Sequence, residues 1–243
     1  MKKIILIILA AFPCWINAQS AGNAARIVTI QPKENARRDF ELGYKRHLAW
    51  HADNKDSWAW FGWQVIGGDD FGMFIDGTFG HAWEDFDRPV APAADAADNA
   101  VNVTPYATFL NISHCIRMES VSNDASLESR KPSALIEWHR YEIKPGNEID
   151  FENILAAYHA ALLKEKTPRR HAVYKLVNGG SQPSYIVMFP LEKISEIGLS
   201  ENGMAEKFSK YKDEKSLQKV SSVILRNVSS ILRYRADMSY IPE

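Results

Sequence analysis

The chain has very little cysteine. Of two cysteines in 243 residues, Cys14 falls in an apolar leader and leaves Cys115 alone. A single thiol closes no intramolecular bridge, so stability has to come from a packed core. An excess of one charge is also missing. With 29 basic against 30 acidic side chains the formal net charge is −1, no global positive field draws the chain to phosphate, and a nucleic-acid partner is excluded. No apolar run reaches the roughly 20 residues that span a bilayer, so no membrane span is expected. Familiar catalytic signatures are absent too. There is no G-x-S-x-G elbow, and Gly67-Gly68 is not followed by the Lys-Ser or Lys-Thr of a phosphate-cradling loop. Cys115 follows His114, but neighbours on a strand face opposite ways and make no thiol–imidazole pair. A lone cysteine between Ile112 and Met118 reads as a small buried hydrophobe.

What remains is the composition of a folded protein, 46% hydrophobic and 11% aromatic. Lys2 and Lys3, the apolar stretch Ile4 to Phe12, and the small residue Ala18 make residues 1–18 a secretory signal peptide. Pro13 stands where a lipoprotein leader carries a small residue, which favours cleavage after Ala18 over lipidation at Cys14. The expected location is secreted or periplasmic.

Past the leader, the chain repeats itself. Ile30-Gln31-Pro32-Lys33 is answered by Ile143-Lys144-Pro145-Gly146, Asp39-Phe40-Glu41 by Asp150-Phe151-Glu152, and the Gly67-Gly68 turn by Gly179-Gly180. Three matches in one order point to a duplication. Phe40, Tyr44, His47, Leu48 and His51 recur at helical spacing, as do Phe151, Ile154, Leu155, Tyr158, His159 and Leu162. Strands are expected over Trp58–Ile66 and Phe71–Asp76, then over His171–Val177 and Tyr185–Phe189. A late helix is expected with Leu217, Val220, Ile224 and Val228 on one face, and a final strand is read from the alternation Leu232, Tyr234, Ala236, Met238, Tyr240. Residues 88–104 are rich in Ala, Asp and Pro and predict a short irregular helix or a loop before a strand around Ile112 to Met118.

Strand, helix, strand, strand, helix, strand is the split βαβ order of a ferredoxin-like unit. The expected fold class is α+β, with units over 19–120 and 133–243, a polar linker over 121–132, and the two sheets closing into an intramolecular α+β barrel. The pattern resembles the dimeric α+β barrel superfamily in its duplicated form. That resemblance implies a range of activities, including monooxygenases, haem enzymes such as chlorite dismutases, and small-ligand binders, and does not choose among them.

The sharpest local feature is His47-Leu48-Ala49-Trp50-His51, which sets two imidazoles on one helical face, the spacing by which a helix offers two ligands to one metal ion. A third ligand is missing from the local motif, so no metal is assigned, and plain packing beneath the helix competes with a binding role. The stretch Asp76 to Asp87 follows the second strand and combines glycines, His81, Trp83 and acids, whereas its counterpart Pro190 to Ile194 has no such enrichment. Tryptophan is also lopsided, with Trp50, Trp58, Trp60, Trp63 and Trp83 in the first unit against Trp138 in the second. The expected site is therefore a small-molecule pocket in the first unit lined by His47, His51, Trp63, Asp76, His81 and Trp83, with Asp76 fixing an imidazole tautomer. Three readings stay open: a small-molecule binder, a haem-dependent or cofactor-free monooxygenase-like enzyme, and a non-catalytic interaction module. The sequence specifies neither a cofactor nor an oligomeric state.

Overall fold

The computed structural model of the chain describes residues 22–166, 168–200, 204–210 and 213–243. The signal peptide expected over residues 1–18 lies outside them. The first half runs β1 (Ala24–Pro32), α1 (Arg37–Asp53), β2 (Phe61–Gly68), β3 (Phe74–His81), α2 (Pro92–Asn102) and β4 (Ala107–Arg117). The second runs β5 (Leu135–Ile143), α3 (Glu148–Leu163), β6 (Ala172–Asn178), β7 (Ser184–Leu191), α4 (Met204–Lys210), α5 (Glu214–Val223) and β8 (Ile224–Tyr234). All eight strands form one closed antiparallel barrel in the order β1-β3-β2-β8-β5-β7-β6-β4. Each half contributes a ferredoxin-like sheet, and the fourth strand of each pairs with the second strand of the other. The two joins are equivalent, as a pseudo-twofold duplication requires, and closure removes the free edges that an open sheet would leave.

Strand alternation divides the core into three apolar layers. Phe61, Trp63, Ile75, Phe79, Cys115, Ile136, Tyr174, Met188 and Leu232 fill the barrel lumen. Outside it, α1 packs Phe40, Tyr44 and Leu48 onto Val28, Ile30 and Phe74, and α3 packs Phe151, Ile154 and Leu155 onto Tyr141, Tyr185 and Val187. The thiol of Cys115 is buried in the lumen, and burial pushes its pKa up to about 12, so it is a packing group and not a nucleophile.

Several sequence expectations are corrected. The helix expected through Ile224 and Val228 stops at Val223, and both residues belong to β8, paired with Ile143 and Arg140 of β5. A spacing of four fits a helical face and is also a multiple of the strand period, so the pattern alone did not separate the two. The terminal strand expected to reach Tyr240 ends at Tyr234. Residues 236–238 form a 3-10 turn that seats Met238 in the first unit's outer core, and Tyr240 bridges to Trp60. β3 begins at Phe74 and continues past Asp76 to His81, so His81 lies within the strand and not in the loop after it. Its pairing with β1 from Ala24 to Ile30 holds that extension in place. Residues 92–102, expected as an irregular helix or loop, form the regular helix α2, entered through Pro92 at its first turn.

Because the barrel joins and the Met238–Tyr240 return tie the halves together, unfolding should be a single transition. Phe151 is buried at the heart of the second unit, and Phe151→Ala should cost about 3–5 kcal/mol. In urea, tryptophan fluorescence, which reports mainly on the first unit, should shift its midpoint together with far-ultraviolet circular dichroism. Two separated transitions would contradict this.

Candidate functional site

On the outer face of the first sheet, α1 turns Tyr44, His47, Leu48 and His51 inward, and α2 lies across them. The approach of the two helices is very close. A Cβ at Gly43 of α1 would meet the Asn102 carbonyl oxygen of α2 at 1.8 Å, so only glycine fits there. On α2, Asp95, Asp98, Asn99 and Asn102 fall at helical spacing and share the face turned to α1. Asn102 links the helices by accepting from Arg46 Nε (2.8 Å) and donating to Asp98 Oδ2 (3.1 Å).

Both imidazoles are held in one tautomer. His47 Nδ1–H donates to Asp98 Oδ1 at 2.8 Å, and His51 Nδ1–H donates to Asp56 Oδ2 at 2.8 Å. Asp56, on the turn after α1, is itself fixed by the Trp60 indole N–H (2.8 Å) and the Trp58 backbone N–H (3.0 Å). Burial alone would raise its pKa, but these bonds together with that from His51 hold it below the usual carboxylate value. Each imidazole therefore points Nε2, with its lone pair, at the same place. There Asp95 Oδ1 lies 3.4 Å from His47 Nε2 and 3.6 Å from His51 Nε2, and the three ligand atoms are all within 4.8 Å of one another. Asp95 Oδ1 is buried and has no hydrogen-bond partner. Three electron-rich atoms thus converge, with the Asn99 amide Nδ2 in a long contact to His47 Nε2 at 3.4 Å. Burial also lowers the pKa of His47, which favours the neutral ring that a metal ion requires. Two histidines and one carboxylate converging from one side is a donor set suited to a divalent transition metal ion.

The floor below is formed by β1, β3 and β4. Arg26, Val28, Trp60, Asp76, Phe109 and Ile112 complete a cavity of about 350 Å³ beside the three donors. Asp76 faces Tyr44, and burial raises its carboxyl pKa to about 6. The Arg26 guanidinium lies over the Trp60 ring at 4.8 Å.

Of the residues expected to gather, His47, His51 and Asp76 share this cavity, and the other three lie elsewhere. Trp63 is in the barrel lumen against Phe61 and Phe79, because its strand position faces inward. His81 is sealed beneath Trp58 and Phe86, with Nε2 bonded to Thr78 Oγ1 at 2.5 Å. Trp83 is 40% exposed and sits near His114 on another face. Asp76 does not set an imidazole tautomer, a role that falls to Asp98 and Asp56. Asp95, Asp98, Asp56 and Arg26 were not anticipated. The available signal was the Asp95–Asp98–Asn99–Asn102 spacing, which on a surface helix reads as a solvated face.

No family model and no curated protein matches the chain. Solved structures do match. A protein designated a monooxygenase from Fusobacterium nucleatum superposes with a TM-score of 0.59 at 11% identity, over 88% of this chain and 93% of its own. One so designated from Lactobacillus acidophilus gives 0.56 at 9%, over 89% and 94%. A chlorite dismutase mutant from Candidatus Nitrospira defluvii gives 0.53 at 8%, over 90% and 93%. At such identities the likeness concerns the fold alone, and this chain is a closed α+β barrel of two ferredoxin-like halves.

Two predictions follow from this packing. Gly43→Ala, which in a free helix would stabilise by about 1 kcal/mol, should here lower the thermal midpoint by pushing α2 off α1. Burial lowers the His81 pKa to about 4 from its ordinary 6.5, so the unfolded chain takes up that proton first. The stability this neutral ring contributes is present above pH 6.5 and is lost as the pH falls toward 4. Over that range wild type should lose on the order of 3 kcal/mol relative to His81→Gln in paired urea titrations, and a pH-independent difference would contradict the assignment. Taking the difference between the two proteins cancels Asp76, whose raised pKa acts in the opposite direction.

Proposed function

We propose that the first-unit cleft binds one divalent transition metal ion through His47 Nε2, His51 Nε2 and Asp95, and that a small organic molecule reacts beside it. The observation that carries this reading is the convergence of three acceptor atoms, two of them on imidazoles whose outer nitrogens are already committed to carboxylates. Metal-binding histidines characteristically have such carboxylate partners, which fix the ring and raise its basicity. A tridentate set on one side leaves coordination positions free for water and substrate, the arrangement used by non-haem iron oxygenases. Oxidation is the reaction class this donor set favours, and the monooxygenase designations of two structural neighbours agree with it.

The residues do not suit haem. A porphyrin brings four ring nitrogens and needs open space around both faces of its iron. Here three protein donors crowd a single point within 4.8 Å of one another, and a macrocycle placed on either imidazole would collide with the other two. A bare ion resolves the same convergence by replacing only the long Asn99 amide contact on His47 Nε2. With residues 1–18 read as a signal peptide, this chemistry would take place in the periplasm or outside the cell.

Isothermal titration with Co(II), and with Fe(II) under anaerobic conditions, should show one ion per chain. His47→Ala, His51→Ala and Asp95→Ala should each weaken binding at least about 100-fold, and Asp98→Asn or Asp56→Asn by about 10–100-fold. Unchanged metal affinity in Asp95→Ala would overturn the proposed ligand set.

A further inference from the structure

Next to the three donors, the cleft contains a second feature that the metal does not use. Arg26 rises from β1 into the cavity floor, only partly exposed. Its guanidinium carbon lies over two indoles, 4.8 Å from the Trp60 ring centre and 5.9 Å from that of Trp58. Its Nε is buried with no hydrogen-bond partner, and among the described residues no carboxylate closes an ion pair with it. A guanidinium has five N–H donors in a rigid fork. To leave the buried Nε–H of a partly desolvated cation without a partner is costly unless an anion completes the fork. The nearest buried acid, Asp76, does not do so. It senses the Arg26 charge yet keeps a carboxyl pKa of about 6, and its Oδ1 is itself unpartnered.

The remaining walls restrict what the anion is attached to. Val28, Leu48, Phe109 and Ile112 are apolar, and the volume is about 350 Å³, room for a ligand at the small end of the usual range. Trp60 relates this feature to the metal set, because its ring packs on the His51 ring at 5.1 Å on one side while carrying Arg26 on another.

We infer that the cleft takes a small, flat organic acid whose carboxylate is gripped by Arg26, with its apolar body between Phe109 and Trp60. This rests on the cleft being the site of chemistry, and it assigns Arg26 the role of selecting substrate by charge. The planar fork presents two parallel N–H groups to a carboxylate, a match that a neutral amide or alcohol of the same shape lacks.

The test uses salicylate and its neutral isostere salicylamide as probes, titrated calorimetrically into wild-type protein, Arg26→Gln and Arg26→Lys, each with Co(II) and metal-free. Wild type should bind salicylate at least about 10-fold more tightly than salicylamide. Arg26→Gln should lose roughly 30-fold or more of the salicylate affinity while keeping its Co(II) affinity and its affinity for salicylamide. Arg26→Lys, which retains charge without the fork, should fall between, and it replaces the Gln variant if that one does not fold. Equal salicylate binding by wild type and Arg26→Gln, no preference over salicylamide, or no salicylate binding at millimolar concentration would each overturn the inference. Failure to bind Co(II) overturns only the metal reading, since the metal-free titrations still decide the role of Arg26.

Discussion

The contact between α1 and α2 organises the first unit. Two helices that shared only apolar surface would leave the rings of His47 and His51 with water or backbone as partners. The close approach at Gly43 instead brings the polar face of α2 over them, so that Asp98 fixes one ring and Asp95 stands opposite both. Burying so many polar groups is unfavourable unless each finds a partner. Nearly all do, through the Arg46–Asn102–Asp98–His47 series and through Asp56 with Trp58, Trp60 and His51. Between the helices the Asp95 oxygen facing two lone pairs has no hydrogen-bond partner, as Arg26 Nε and Asp76 Oδ1 on the floor have none, and the metal reading rests on Asp95.

Barrel closure supplies the rigid base. β1 lies between β3 and β4, and together these strands fix Arg26, Asp76 and Phe109 beneath the helices. The second unit contributes at a distance. After β8 the chain returns across the barrel, and the Tyr240 hydroxyl donates to the Asp56 carbonyl at 2.8 Å. The turn that orients His51 is therefore braced from the far end of the sequence, and the site belongs to the whole barrel although its ligands come from one half.

The corresponding helices of the two halves differ at the histidine positions. Aligning Phe40 with Phe151 places Tyr158 and Leu162 where His47 and His51 stand, and both are ordinary core residues of α3. Much of this was legible in the sequence. The repeat, the helical stripe through His51 and the alternating strands gave the fold class, because burial imposes its periods directly on the residues. The imidazole pair was legible for the same reason. What the sequence did not reveal was convergence. Asp95 and Asp98 satisfy the pattern of a solvated helix face, and only the tertiary approach of α2 turns them inward. Trp63 and His81 share the aromatic and polar character of site residues, but strand parity sends Trp63 into the lumen and His81 lies under Trp58 and Phe86. Arg26 has no signature in the sequence, because one arginine in a strand stands out only where its partners prove to be missing.

The most direct test of the central claim is a crystal of the protein grown with Zn(II) and measured on both sides of the zinc absorption edge. One anomalous peak is expected between α1 and α2, about 2.0–2.2 Å from His47 Nε2, His51 Nε2 and an Asp95 carboxylate oxygen. A cleft with no such peak, and with Asp95 bonded instead to a protonated imidazole, would contradict the account.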